Sequence, residues 1–501
     1  MIRTLRVTRE HLDRFAASSG DRNPLHVDAA YARATPYGRN IAQGALVTIA
    51  ALGIADELAL NRLKAIHVQF KQPVFPDEDY VVSLLASSPD SAEIEVSGRG
   101  RAAVAITLAF DSQTPLPEAE EQTPATLRTS PARPTVEELA APDSSLREPY
   151  SCDLDALALL ADELGAGGVP RTILVWLAAA SYTIGMVVPG EDALFVGARI
   201  TQSASPDSGR LSGSVTFADD RTGLVGLDVV LEQHDASAQM TLQAFLRAPV
   251  APPDRPSIER FLASSTRLSG RNILVVGASR GLGAALTGAF ALQGATVWAG
   301  FAESSSHMEA IRSEFGAEAI RPLRLDAEDV GATRAALATV GDGAGSLDGV
   351  VLCAAPPMHE ASLHPDASES TLRFVRSSVA MALVPLAESL RLLPPDGWVV
   401  VLSSSGLDDP PDVWPHYTIA KAALEGAASY CRRHTGARVL VARAPKMATD
   451  SMNTPLGRLN AVPVEQVAAA IVRWTISDDE SRPDVLSGDE LSAAATAEPG
   501  T

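Results

Sequence analysis

The stretch Asn272-Ile-Leu-Val-Val276-Gly277-Ala-Ser-Arg280-Gly281-Leu-Gly283 joins an apolar, β-branched run to a glycine-rich turn. Glycine permits a tight turn, and its missing side chain lets backbone N–H groups and the start of the next helix approach a pyrophosphate. Further apolar runs alternate with helical stretches up to about residue 476. This alternation predicts an α/β fold, a Rossmann-type doubly wound parallel sheet, over residues 270–478.

The other predicted strands of this sheet are short and mostly apolar. They are 295–300, 322–325, 349–353, 398–403 and 438–443. Beyond these elements the chain is acidic and has no apolar periodicity. Residues 479–501 are therefore expected to form a loose acidic tail.

The first half of the chain shows a different order of elements, and this order occurs twice. In residues 1–112 the pattern predicts helices at 11–18 and 41–58, then strands at 65–70, 79–87, 92–98 and 101–110. In residues 151–249 it predicts a helix at 172–188, then strands at 194–201, 210–217, 222–232 and 238–247. A long buried helix followed by antiparallel strands is the order of a hot-dog fold, so the repeat predicts an α+β double hot-dog.

Two further segments are rich in proline and lack apolar periodicity. They are residues 113–150 and 250–269, and both are predicted to be linkers.

Composition narrows the possible partners. The formal net charge is −20, and residues 113–150 and 477–501 carry −4 and −6 of it, so the remaining parts are mildly acidic. The sequence has no stripe of basic residues that could neutralise the phosphates of a nucleic acid, so we expect no nucleic acid partner. Binding of an acidic carrier protein would require a local patch of basic residues, and the sequence does not show where such a patch lies.

The chain also gives indications of its compartment. No basic region followed by an apolar stretch opens it, so we expect no secretory leader. Its most apolar run, 172–188, is short for a membrane span, so we expect no membrane association. Three cysteines, Cys152, Cys353 and Cys431, lie far apart and show no metal-ligand spacing with histidines. Reduced thiols, a cytoplasmic location and no metal are expected.

Three residues of the C-terminal block form a second pattern. Tyr417-Thr-Ile-Ala-Lys421 places a lysine one helical turn after a tyrosine, and Ser404 precedes the tyrosine by thirteen positions. Together with the glycine-rich turn, these residues resemble the short-chain dehydrogenase/reductase family, specifically its β-ketoacyl reductases. The resemblance implies that Tyr417 is the general acid, that Lys421 favours the phenolate and holds the nicotinamide ribose, and that Ser404 binds the substrate oxygen. Ser403 and Ser405 are alternatives to Ser404.

The same resemblance implies a nicotinamide cofactor and the residues around it. These are Gly277, Ser279, Arg280, Gly281, Leu282, Gly283, Asp326, Ala354, Tyr417, Lys421 and Thr449. The second strand ends Trp298-Ala-Gly-Phe301 without the acid that binds an NAD ribose, and Arg280 is placed to meet a 2′-phosphate. The alternative for Arg280 is a solvated surface residue. NADPH is the expected cofactor.

The chain departs from the reductase pattern at three places. Cys353-Ala-Ala-Pro356 replaces the usual Asn-Asn-Ala-Gly, and Pro445-Lys446 replaces a Pro-Gly. Where the family has a proton-relay asparagine, this chain has Arg376-Ser377-Ser378, so Ser378 or a water is expected to stand in.

Near the N-terminus lies an acid/base motif, Ser19-Gly-Asp21-Arg-Asn23-Pro-Leu-His26. On its own it is also compatible with a capped turn and a surface histidine. With Ile41-Ala-Gln43-Gly44 opening the next helix, it resembles the MaoC-like, (R)-specific enoyl-CoA hydratase family, although Gln43 stands where that family often has histidine. The resemblance implies that Asp21 and His26 are the acid/base pair, that Asn23 supports them, and that the Gly44 amide polarises the thioester carbonyl. Residues 151–249 lack such a pair and are expected to be non-catalytic.

Together these patterns indicate a multifunctional enzyme. The expected reaction converts 3-oxoacyl thioesters through (3R)-hydroxyacyl to trans-2-enoyl thioesters with NADPH, in polyketide or fatty-acid-like biosynthesis. The thioester is borne by an acyl carrier protein or by CoA, and a homo-oligomer is expected. The alternatives are a β-oxidation enzyme that hydrates enoyl-CoA and oxidises 3-hydroxyacyl-CoA, and a non-catalytic carrier-docking scaffold.

Overall fold

The structure, a computed structural model, describes residues 1–33, 35–54, 58–111, 115–121, 123–141, 144–203, 208–233, 235–247, 250–303, 305–453, 457, 459–479 and 481–493. The chain forms two compact units, the first built mainly of Met1–Pro249 and the second mainly of the residues that follow. Among the described residues, no helix is both long and apolar enough to cross a membrane.

The first unit contains ten strands and seven α-helices among its described residues. The strands are β1 (Ile2–Arg6), β2 (Leu63–Phe70), β3 (Asp79–Ser87), β4 (Ser91–Gly98), β5 (Arg101–Phe110), β6 (Ser145–Pro149), β7 (Ala193–Gln202), β8 (Arg210–Ala218), β9 (Leu224–Glu232) and β10 (Ala238–Leu246). The helices are α1 (Arg9–Ser19), α2 (Pro24–Val27), α3 (Ala29–Arg33), α4 (Gly44–Leu52), α5 (Val136–Leu139), α6 (Leu154–Glu163) and α7 (Arg171–Tyr182). A π-helical turn, Thr183–Val187, extends α7.

All ten strands form one antiparallel sheet with the order β1-β3-β4-β5-β2-β7-β10-β9-β8-β6. β2 pairs with β7 at the centre, where Ile66 lies opposite Ile200. On each side of this seam the strands follow the same order, with the first strand of each half at the outer edge. The central helices α4 and α7 pack against each other, and nearly all their residues are buried because they are apolar on every face.

The first predicted linker is wrong for much of its described part. Residues 113–150 contain α5 and the edge strand β6, which pairs with β8, and Leu116, Leu139 and Leu146 are buried. An edge strand of five residues carries little apolar periodicity, and its hydrogen bonds come from a distant partner. The helix predicted at 41–58 is also shorter, since α4 runs only from Gly44 to Leu52.

The second unit contains a seven-stranded sheet. Its strands are β11 (Asn272–Val276), β12 (Thr296–Phe301), β13 (Ile320–Arg324), β14 (Gly349–Leu352), β15 (Trp398–Ser404), β16 (Arg438–Ala444) and β17 (Val485–Leu486). Its α-helices are α8 (Arg255–Glu259), α9 (Gly281–Leu292), α10 (Ser305–Phe315), α11 (Val330–Ala344), α12 (Ser368–Ser389), α13 (Pro415–His434), α14 (Val464–Ile476) and α15 (Gly488–Ala493). The order is β13-β12-β11-β14-β15-β16-β17, and all pairs are parallel, which confirms the predicted Rossmann-type sheet.

Two predictions about the borders of this unit are wrong. Residues 250–269 are not a free linker, since α8 packs on α9 and α14 and buries Ile258. The described part of 479–501 is not a loose tail, because β17 pairs with β16 and Leu491 of α15 is fully buried. Both segments are short and polar in composition, so they show their apolar contacts only when packed.

Candidate active sites

The loop that carries Asp21 and Asn23 follows α1. Gly20 ends that helix with a φ of +81°, a left-handed conformation that favours glycine, and turns the chain inward. Asp21 and Asn23 are 2% and 1% exposed. The Asn23 amide donates to Oδ1 of Asp21 at 3.2 Å, so the loop supports its own carboxylate.

Residues of the second half complete the surroundings of Asp21. Ser181, in α7, donates a hydrogen bond from Oγ to Oδ2 of Asp21 at 2.6 Å. Gly185, in the π-helical turn, leaves room for the carboxylate, because a Cβ there would lie 2.1 Å from Oδ1. Sequence reasoning missed both residues, and no local motif around them points to Asp21.

Both the oxygen and the nitrogen of the Asn23 side-chain amide form hydrogen bonds that hold the loop. Its Oδ1 accepts from the Leu25 amide at 3.0 Å, which caps α2. Its Nδ2 donates to the carbonyl oxygens of Gly185 at 3.0 Å and Gly190 at 2.9 Å. These bonds tie the Asp21 loop to the π-helical turn and the loop that follows it, in the second half of the first unit.

His26 lies beside the segment that leads into α4. Its Nδ1 is 2.8 Å from the carbonyl oxygen of Ile41, and a carbonyl can only accept, so Nδ1 carries the proton in the neutral ring. Nε2 then bears the lone pair. Gly44 begins α4, so its amide is in the first turn, where the helix supplies no acceptor. A Cβ on Gly44 would lie 2.6 Å from the Phe70 ring, so only glycine fits.

Burial shifts the pKa values of Asp21 and His26 in opposite directions. It raises the pKa of the Asp21 carboxyl, and the nearby His26 and the bond from Ser181 counter this shift. It lowers the pKa of the His26 ring, opposed by Asp21 and reinforced by the positive charge of Arg247. Burial therefore favours a neutral acid next to a neutral base, which suits proton transfer in both directions.

The glycine-rich turn of the second unit forms a cradle between β11 and α9. Gly277 has a φ of +85°, and a Cβ there would lie 2.8 Å from the Ala354 amide nitrogen. A Cβ on Gly283 would lie 2.0 Å from the Gly277 carbonyl oxygen, and Gly281 lies beside Thr449. At Gly277 and Gly283 backbone atoms stand where a Cβ would lie, so glycine lets the turn pack closely and keeps its backbone free of side chains, as the approach of a pyrophosphate requires. Ser279 and Leu282 lie in the same turn and helix start.

A positively charged side chain, that of Arg280, lies next to this glycine-rich turn. Arg280 occupies the N-cap position of α9, its Nη1 is 3.8 Å from Oδ2 of Asp450, and 39% of its side chain is exposed. The neighbouring strand β12 ends at Phe301, without an acid. Asp326 accepts from the Glu328 amide at 3.1 Å, within the turn that follows β13. Its place among the residues around the cofactor stays a prediction.

Ser404 ends β15, and Tyr417 and Lys421 lie on the first turns of α13. Lys421 is buried, donates from Nζ to the Leu402 carbonyl at 2.8 Å, and lies 5.4 Å from the centre of the Tyr417 ring. The structure thus brings the predicted tyrosine and lysine together.

The neighbouring serines differ in their contacts. Ser404 accepts from the Gly406 amide at 3.0 Å, whereas Ser403 donates to Glu425 at 2.6 Å. This favours Ser404 over Ser403 as the substrate contact. Ser378 is buried in α12, and its part in a relay stays a prediction.

Two family models match the chain. Residues 2–103 match the MaoC like domain, and residues 271–457 match the short chain dehydrogenase family. The chain carries a MaoC-like domain and a short-chain dehydrogenase domain. The antiparallel sheet fits the hot-dog fold of the first. The two domains support a dehydratase and an oxidoreductase on one chain.

Two solved structures similar to the chain each align with less than half of it. A short chain dehydrogenase from Burkholderia cenocepacia in complex with NADP is 24% identical and covers 44% of this chain and 98% of its own, with a TM-score of 0.40. A dehydrogenase/reductase from Sinorhizobium meliloti is 22% identical and covers 48% and 100%, with a TM-score of 0.40. No curated protein matches the chain.

Proposed function

We propose that this chain is a bifunctional ketoreductase–dehydratase that converts 3-oxoacyl thioesters, through the (3R)-hydroxyacyl thioester, to trans-2-enoyl thioesters. The observation that carries the proposal is the presence of two acid/base sets on one chain: Tyr417 with Lys421, and the buried Asp21 with His26. The first set suits reduction of a carbonyl, and the second suits loss of water from the alcohol that results. Fatty-acid-like or polyketide assembly uses these two reactions consecutively.

We also propose that the first unit is a double hot-dog. The same strand order on both sides of the β2–β7 seam and the packing of α4 against α7 support it. In this arrangement the first half supplies Asp21 and His26, and the second half encloses them.

In the reductase, a bound nicotinamide cofactor supplies the hydride. Tyr417 donates its phenolic proton to the substrate oxygen, which becomes the hydroxyl group. Lys421 is buried beside the phenol, so its positive charge stabilises the phenolate that remains. Ser404 orients the same oxygen by a hydrogen bond.

In the dehydratase, the tautomer of His26 determines which of His26 and Asp21 is the base and which is the acid. Nδ1–H is bound to the Ile41 carbonyl, so Nε2 accepts the α-proton of the 3-hydroxyacyl thioester. Asp21, whose pKa burial raises, gives its proton to the leaving hydroxyl, which departs as water. The α-carbon electron pair forms the double bond, and the Gly44 amide stabilises the thioester oxygen. Hydration is the reverse of these steps.

NADPH is proposed as the cofactor because Arg280 lies at the cradle and β12 ends without an acid. Arg280→Ala should weaken NADPH binding by about 1–3 kcal/mol, since the 2′-phosphate loses a charge-assisted bond, and should leave NADH binding nearly unchanged. Titration of both cofactors by calorimetry measures this. Arg267→Ala is a matched control, because Arg267 is exposed and lies outside the cradle. Equal affinity of the unaltered protein for NADPH and NADH would contradict the proposal.

The function is tested by incubating the protein with a 3-oxoacyl-CoA and, separately, the corresponding acyl carrier protein thioester. NADPH or NADH is added to these, NAD or NADP is added to the corresponding 3-hydroxyacyl thioesters in a parallel set, and the products are identified by mass spectrometry. The proposal expects NADPH consumption and an enoyl thioester. Oxidation of a 3-hydroxyacyl thioester with NAD as the preferred reaction would favour the β-oxidation alternative, and no turnover of any thioester would favour a scaffold.

A further inference from the structure

The hydroxyl group of Ser181 lies against the carboxylate of Asp21, although the two residues are 160 positions apart. Ser181 is 3% exposed and belongs to the last turn of helix α7, in the second half of the first unit. Its Oγ donates to Oδ2 at 2.6 Å. A hydrogen bond to a buried carboxylate is stronger than the same bond at a surface.

The other oxygen of the carboxylate is held from its own loop. The Asn23 amide donates to Oδ1, and the missing side chain of Gly185 provides the space that this oxygen occupies. Each oxygen of Asp21 therefore has one donor, and helix α7 in the second half of the first unit supplies the side-chain donor.

We propose that Ser181 is a positioning residue that stabilises the negative charge of Asp21 and so controls how Asp21 and His26 share a proton. The inference rests on the proposed dehydratase function. When Asp21 gives its proton to the leaving hydroxyl, negative charge develops on the carboxylate, and the O–H of Ser181 is already directed at it. The second half is thus part of the chemistry, contrary to the expectation from its lack of an Asp/His pair.

Other titratable groups around the pair must be included in any pH argument. His26 faces Asp21 from α2, and Tyr150 faces it from the start of the second half. Arg247, which directly follows β10, acts on His26. Ser181 is the hydroxyl that binds Asp21 directly, and its bond lowers the pKa of the carboxyl. Its removal should therefore raise this pKa.

The test uses Ser181→Ala and Ser181→Cys in the full chain. Cysteine fills the space of serine, but its thiol is a weak donor, so it separates packing from hydrogen bonding. Thr183→Val is the control, because Thr183 is buried one residue beyond α7 and donates only to the Ala179 carbonyl. Dehydration of a (3R)-3-hydroxyacyl-CoA is followed by enoyl absorbance across pH.

Ser181→Ala should lower kcat by about 10- to 100-fold. The high-pH limb of the profile, which reports loss of the shared proton, should move to higher pH, and the low-pH limb should stay. Ser181→Cys should resemble Ser181→Ala, and Thr183→Val should resemble the unaltered protein. An unmoved high-pH limb, or full recovery by cysteine, would overturn the inference.

A second measurement needs no substrate. The Asp21 carboxyl is titrated by ¹³C NMR in protein labelled at aspartate, and its signal is assigned by its absence in Asp21→Asn. The inference expects a higher titration midpoint in Ser181→Ala, and an unchanged midpoint contradicts it. If the unaltered protein dehydrates no thioester, the proposed function fails, while this titration still decides the role of Ser181.

Discussion

Replacing Tyr417 with phenylalanine is expected to lower NADPH-dependent reduction of a 3-oxoacyl thioester by about 10²- to 10⁴-fold. The substitution removes the proton donor but keeps the ring on α13 beside Lys421. Dehydration of a supplied 3-hydroxyacyl thioester should continue unchanged, because Asp21 and His26 belong to the other unit. NADPH oxidation and enoyl formation are measured separately on the same preparation.

Tyr430→Phe is the matched control for this variant. Tyr430 lies on the same helix but is 68% exposed, so its loss tests the effect of removing a phenol from α13 without touching the site. It should keep both activities. Loss of dehydration in a folded Tyr417→Phe protein would show that the two sites are not the separate ones assigned to them.

Asp21→Asn is expected to have the converse effect. An amide keeps the shape of the side chain but cannot donate an acidic proton to the leaving hydroxyl, so dehydration should fall by about 10²- to 10⁴-fold. Reduction should continue, and the 3-hydroxyacyl thioester should accumulate. Quantification of the 3-hydroxy and enoyl products over time by mass spectrometry measures both effects.

Asp13→Asn serves as the control for this change. Asp13 is exposed on α1, where its partner is Arg9 one turn away, and it should be replaceable without effect on either activity. Unchanged dehydration by Asp21→Asn would contradict the assignment of Asp21 as the acid. Loss of dehydration in Asp13→Asn would show that a change in this region lowers activity through the fold and not through the acid.

Much of the second unit could be predicted from local patterns. The strand before the glycine-rich turn was predicted with the bounds of β11, because buried parallel strands are apolar runs that end at recognisable turns. The Tyr417–Lys421 contact could also be predicted, since one helical turn separates the two residues.

The missing elements share one physical cause. β1, β6 and β17 are edge or near-edge strands of two to five residues, and each depends on hydrogen bonds to a strand distant in sequence. Such segments bury few side chains and carry a weak alternation, so composition made β6 and β17 resemble a linker and a tail.

The candidate site around Asp21 was predictable only in part for the same reason. Asp21, Asn23 and His26 lie within one short motif, whereas Ser181 and Gly185 reach it through the packing of the second half. A serine at the end of an apolar helix has no local feature that distinguishes it from a buried structural residue.

The stereochemistry of the intermediate tests the consecutive reaction most directly. In a His26→Ala variant, which lacks the base for dehydration, a 3-oxoacyl thioester and NADPH should yield a 3-hydroxyacyl thioester that accumulates. Its configuration is determined by chiral chromatography, and the unaltered protein is then given each enantiomer separately. We expect the accumulated alcohol to be (3R) and only the (3R) enantiomer to be dehydrated. Accumulation of the (3S) alcohol would contradict this expectation, because the first site would then make a compound that the second does not accept.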